Sequence, residues 1–170
     1  MNLQWINSAG GPLVCASPAA GREWRGTQGS SIGVARSDYE RACDEMDYVG
    51  AIAGGSSQVL VLGDEPLQSA FVVKDEGVLV VRWVSCVSSE RAASAIAQLP
   101  SALPSIEVPI KFRLEDRGLI MFDAALDSID PAACAGVDLK PGVFTVTTEK
   151  YKSEGAYEFL VHRLLRDREH

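Results

Sequence analysis

Val59-Leu60-Val61-Leu62, Gly63-Asp64-Glu65-Pro66, Ser69-Ala70-Phe71-Val72-Val73, Lys74-Asp75-Glu76-Gly77 and Val78-Leu79-Val80-Val81-Arg82-Trp83 follow one another almost without interruption. Three short apolar runs, rich in β-branched residues, are punctuated by two acidic turns. Runs of this length bounded by Gly and Pro read as strands of a buried antiparallel sheet. The turns carry carboxylates but nothing able to serve as nucleophile and base together. A firm scaffold with chemically quiet loops points to a protein that binds something.

Working towards the N-terminus, residues 48–53 read as a strand, and Gly54-Gly55-Ser56-Ser57 as its hairpin connection into Val59. Ser37 or Asp38 caps a short helix expected to reach Met46, with Tyr39, Ala42, Cys43 and Met46 on one face. The same segment is the densest acidic patch, with Asp38, Glu40, Asp44, Glu45 and Asp47 against Arg41 alone. It reads either as a solvated helix face or as an acidic contact surface. Residues 16–37 form a polar connection that Trp24 pins to the core through its large apolar area. Gly10-Gly11-Pro12 suits a tight turn before a strand at Leu13, and it lacks the Gly-Lys-Ser/Thr ending of a phosphate loop.

Towards the C-terminus the sheet pattern continues to about Val87, and Ser88-Ser89 caps an Ala-rich helix over 90–99 that Pro100 stops. Ile106, Val108, Ile110, Phe112 and Leu114 alternate with period two, which predicts one buried and one wet face. Pro109 places that strand at an edge or inserts a bulge. Asp116-Arg117-Gly118 is a turn into a strand at 119–122. Phe144 to Thr148 is strand-like, residues 150–155 a polar loop, 157–165 the final strand, and 166–170 a fraying tail. About nine strands with one or two short helices predict a mainly β (α+β) architecture. An antiparallel β-sandwich or curved sheet, forming a single domain over 1–170, is expected.

The 170 residues are 46% hydrophobic and 23% charged, with 23 acids against 16 basic residues and a formal net charge of −7. That balance disfavours nucleic acid and anionic membranes and is compatible with a basic protein partner. Cys15, Cys43, Cys86 and Cys134 show no close pairing, so zinc is not expected and free buried thiols are. No stretch approaches the ~20 apolar residues of a membrane span, and the first residues lack a signal-peptide pattern, so a cytoplasmic location is expected.

Candidate chemistry is sparse. His162 is the sole credible general base, and no triad motif adjoins it. Asp123 either ends a strand at a site or caps a turn. Arg82-Trp83 reads as a core pair or, alternatively, as a stacked pair for ligand capture. A small-ligand-binding or enzymatic β-fold would need His162, Asp123 and Arg82 in one pocket.

Trp5, Gly10-Gly11-Pro12-Leu13, Trp24-x-Gly26, Asp38-Tyr39-x-Arg41-Ala42-Cys43, Asp47-Tyr48-x-Gly50, Leu60 to Leu67 with Gly63 and Pro66, Val81-Arg82-Trp83, Phe122-Asp123, Pro141-Gly142 and His162-Arg163-Leu164 occur in that order. Taken together, from Trp5 to about Leu165, the chain resembles the immunity protein 21 family of bacterial polymorphic-toxin systems. Residues 27–37 stand out as an insertion in that pattern. The resemblance implies a toxin-neutralising protein that binds a cognate toxin stoichiometrically, with no enzymatic activity and no cofactor. Asp64, Glu65, Asp38, Glu40, Asp44 and Glu45 are the candidate partner contacts. Gly10, Gly11, Pro12, Trp24, Gly63, Pro66, Arg82, Trp83, Asp123, Gly142, His162 and Arg163 are expected to be mainly structural.

Overall fold

A computed structural model describes residues 3–63 and 65–168. Ten strands form two five-stranded antiparallel sheets. The first sheet has the order β2 (Gly50–Gly54), β3 (Ser57–Leu62), β1 (Leu13–Ala16), β7 (Leu119–Asp123), β8 (Ala135–Val137). The second runs β4 (Ser69–Lys74), β5 (Gly77–Cys86), β10 (Tyr157–Arg166), β9 (Gly142–Ser153), β6 (Ile110–Leu114). The fold is therefore a mainly β sandwich, as the strand pattern predicts.

Alternation along each strand splits the apolar residues between two faces. Leu13, Cys15, Leu60, Leu62, Leu119 and Met121 of the first sheet meet Val80, Phe112, Phe144, Val146 and Leu164 of the second in the central core. The opposite faces are covered as well. Val14, Val59, Val61, Ile120 and Phe122 pack under Trp24 and two short helices, α1 (Pro18–Glu23) and α2 (Asp38–Cys43). Val72, Leu79, Val81, Phe159 and Val161 pack under α3 (Ser89–Ala97) through Ala92, Ala95, Ile96 and Leu99. Burial on both faces explains why the central strands read as unbroken apolar runs rather than as alternating ones.

Three expectations change. The runs at 59–62 and 69–73 do not share a sheet: β3 and β4 lie in different sheets, so residues 63–68 form a crossover at one end of the sandwich rather than a hairpin turn. The strand expected from Ile106 begins only at Ile110. Ser105 alone bridges to Glu149, and residues between them bulge outward, leaving Ile106 at 44% and Val108 at 86% exposure. Helix α2 stops at Cys43, and Met46, expected on its buried face, is 80% exposed.

Smaller differences have local causes. Helix α1 was not expected. Ser17 caps it by accepting from the Ala20 amide at 3.2 Å, and Pro18 occupies its first turn, where a missing N–H costs nothing. Strand β9 runs through the expected polar loop to Ser153, held along its length by β10. Of the four cysteines, all free, only Cys15 is buried.

Candidate functional site

Arg82 organises the crossover end. It lies on the core-facing side of β5, opposite Ser69 and Leu160, and is 1% exposed. Its guanidinium donates to the Tyr48 carbonyl at 2.9 Å, the Gly63 carbonyl at 2.8 Å and the Glu65 carbonyl. A buried cation thus ties two surface segments together, the stretch after α2 and the crossover after β3. These are the two acidic segments singled out in the sequence. Gly63 makes their approach possible: a Cβ there would collide with the Asp47 carbonyl oxygen and come within 2.8 Å of the Glu45 carbonyl oxygen. A side chain would push the segments apart.

The candidate contacts divide by exposure. Asp38 is fully buried, and its carboxylate accepts from the amides of Arg25 (2.8 Å) and Ser31 (3.0 Å) and from the Arg41 guanidinium. Burial pushes this carboxyl up, but the Arg25 and Ser31 amides and the Arg41 guanidinium outweigh it and hold it below the usual carboxylate range. Asp38 organises the loop over residues 25–37 and is not available at the surface. Glu40 is exposed and closes a capping box with Ser37, accepting from its amide at 2.8 Å. Asp44 is exposed and paired with Arg36, whose hydrogen bond lowers its pKa. Glu45 is half-buried and accepts from the Asp47 amide at 3.1 Å. Glu65 is exposed. Asp64 lies outside the described residues.

Sequence reasoning missed Glu107. Its carboxylate reaches across from the bulge before β6 and accepts from the Tyr48 amide at 2.8 Å. Met46, Asp47, Tyr48 and Glu107 line one shallow depression of about 250 Å³. The only signal for this was Pro109, which called for a bulge without giving its direction. Among the described residues, no ion pair engages Glu45, Asp47, Glu65 or Glu107.

Several of the residues expected to be structural make internal contacts. The Trp24 indole donates to the Ala124 carbonyl at 2.9 Å and meets Phe122 edge-on. Trp83 packs edge-on against Trp5 and Phe159. Gly11 leaves no room for a side chain beside the Tyr39 ring. Gly10, Gly11, Pro12, Gly63 and Pro66 line a small cleft of about 180 Å³ with Glu45. Gly142 opens β9 opposite Leu114. Arg163 is 2% exposed on the outer face of β10 and forms a two-point pair with Glu149 (3.0 and 2.8 Å), adding the Pro100 carbonyl at 3.1 Å.

None of the larger clefts among the described residues brings His162, Asp123 and Arg82 together. His162 is fully buried in the sandwich with Nδ1 3.1 Å from the Thr148 hydroxyl. Burial, reinforced by the nearby Arg82 charge, drives its pKa well below the ordinary histidine value, so the ring is neutral. Asp123 belongs to the other sheet, and its two oxygens accept from the Ala9 (2.6 Å) and Ala125 (2.8 Å) amides. The clefts described above include none of the three. Among the described residues no group of three or more His, Cys, Asp or Glu side chains could hold a metal, and no helix is long and apolar enough to cross a membrane.

A family model described as Immunity protein 21 matches residues 4–156 of the chain. No curated protein and no solved structure is significantly similar to it.

Proposed function

The chain belongs to the immunity protein 21 family, and from that footing we propose that it neutralises a cognate bacterial toxin by stoichiometric binding, without catalysis of its own and in the cytoplasm. Family membership carries the reading. The side chains that could have made a catalytic set support it: Arg82, His162 and Asp123 are turned to internal hydrogen bonds. An inhibitor needs a rigid frame and a surface complementary to its target. The exposed Glu40, Asp44 and Glu65 and the half-buried Glu45 of the acidic end are its proposed partner contacts. Asp64 joins them by its place in the sequence.

Co-expression with the toxin encoded beside its gene tests the reading. Cells carrying both should grow, and the two chains should copurify in one-to-one stoichiometry. Cell death with no complex recovered would refute it.

A further inference from the structure

Resting on the immunity reading, we propose that the toxin seats a basic polypeptide surface over Met46 and Val108, at the end of the sandwich that Arg82 holds together. Val108 at 86% and Met46 at 80% are the two most exposed large apolar side chains among the described residues, and Ile106 adds 44%. They are not scattered. Val108 and Ile106 flank Glu107, whose carboxylate holds the Tyr48 amide two residues from Met46. An apolar centre with a polar rim is the anatomy of a protein interface, and Met adapts to whatever shape covers it.

The rim decides the occupant. Asp47 and Glu107 line the depression beside Met46, and Glu45 and Glu65 lie on the two segments that Arg82 ties together. Among the described residues none of the four forms an ion pair, whereas Asp44, Asp138, Asp167 and Glu158 each meet a cation. A second copy of this chain fits poorly. A two-fold interface would set these carboxylates against themselves. A cationic partner surface supplies the missing charges and covers the apolar centre. Both segments that carry the patch are also fixed in advance. The stretch with Met46 is held by the Arg82 guanidinium at the Tyr48 carbonyl, and the stretch with Val108 by Glu107 at the Tyr48 amide and by the Ile106 amide, which donates to the Thr148 carbonyl. Little ordering remains to be done on binding.

The test uses the full chain and the toxin domain encoded beside its gene, with calorimetric titration and a growth-protection assay. Met46→Lys/Val108→Lys changes two side chains that the fold leaves in water, and unchanged thermal melting confirms its integrity. It should raise Kd at least ~100-fold and abolish protection. Val73→Lys, on β4 and 69% exposed, should leave Kd within about twofold. Asp47→Lys/Glu65→Lys should slow association at least ~10-fold and flatten its salt dependence. If wild-type chain binds and protects while Met46→Lys/Val108→Lys does so equally well, this surface is refuted and the immunity reading stands. If wild-type chain neither binds nor protects, both fall. A homodimer that Met46→Lys/Val108→Lys dissociates, with toxin binding intact, overturns the assignment of the patch to the toxin.

Discussion

Replacing Arg82 with Met isolates the strut under the acidic end. Methionine fills a comparable length in the core but donates nothing. The Gly63 carbonyl, reached in a buried setting, then loses its partner at a cost of roughly 1–3 kcal/mol. The Tyr48 and Glu65 carbonyls lie nearer water and can rehydrate, so each loses only the net value of a hydrogen bond to a charged donor, about 1.5–3 kcal/mol. Against this, a guanidinium no longer has to be kept out of water, which returns several kcal/mol. The balance is a destabilisation of about 3 kcal/mol. At ~2–4 °C per kcal/mol for a chain of this size, Tm should fall by about 6–12 °C. Location matters as much as size. Hydrogen exchange should accelerate first at the Tyr48 amide, held by Glu107, and at the Leu67 amide, held by the Glu65 carbonyl. Thermal melting followed by circular dichroism and native-state exchange read the two effects. A Tm within about 2 °C of wild type, or accelerated exchange spread evenly over both sheets, would sink the idea that Arg82 ties these segments.

Other parts of the framework carry predictions of their own. His162 has a folded pKa below its unfolded value of about 6.5, so its contribution is fully present above that pH and is lost as pH falls through it. Urea unfolding should show up to ~1.4 kcal/mol lost per pH unit between about 6.5 and 5, and His162→Leu should shed most of that slope; equal slopes would count against a neutral buried ring. Glu149→Ala leaves the buried Arg163 charge with only the longer pair to Glu76 (3.4 Å) and should cost up to about 3–5 kcal/mol, while Glu149→Leu/Arg163→Met should come much closer to wild type. A double variant as unstable as the single would mean that packing rather than the stranded charge sets the cost. Asp38→Asn weakens the Arg41 pair and the grip on the Arg25 and Ser31 amides, so trypsin should cut after Arg36 faster than in wild type at unchanged temperature; an unaltered digestion rate would remove Asp38 as the organiser of that loop.

The elements that hydrophobic pattern alone defines were legible in the sequence. β5, β10 and α3 fall within a few residues of their expected bounds, because an apolar run, or a capped Ala-rich stretch, is a local property. Sheet membership was not. A six-residue link such as 63–68 suits a hairpin or a crossover equally, and Arg82, fourteen residues beyond it, supplies the contacts that fix the answer. The alternation from Ile106 to Leu114 was real chemistry in its second half, where Phe112 and Leu114 are buried. It misled in the first half because the bulge before Pro109 turns Ile106 and Val108 out of register with the core. The acidic segments were recognised one by one. Their meeting at a single end, and the burial of Asp38 within one of them, depend on long-range packing that no window of sequence contains.

Met46 and Val108 also bear on how such a protein can change partners. The residues through which the chain resembles its family, among them Trp24, Gly63, Arg82, Asp123, His162 and Arg163, lie inside the molecule or close its turns. Met46, Ile106, Glu107 and Val108 belong to none of those motifs. Stability therefore resides in one set of side chains, while the apolar centre of the proposed contact resides in another that the fold leaves in water. Substitutions at distant sites without shared partners add nearly independently. Variation at Met46 and Val108 should then move toxin affinity over orders of magnitude at constant Tm, whereas a change at Arg82 moves both, because it displaces the backbone on which the contact stands. A fold built this way can acquire a new target without first losing its structure.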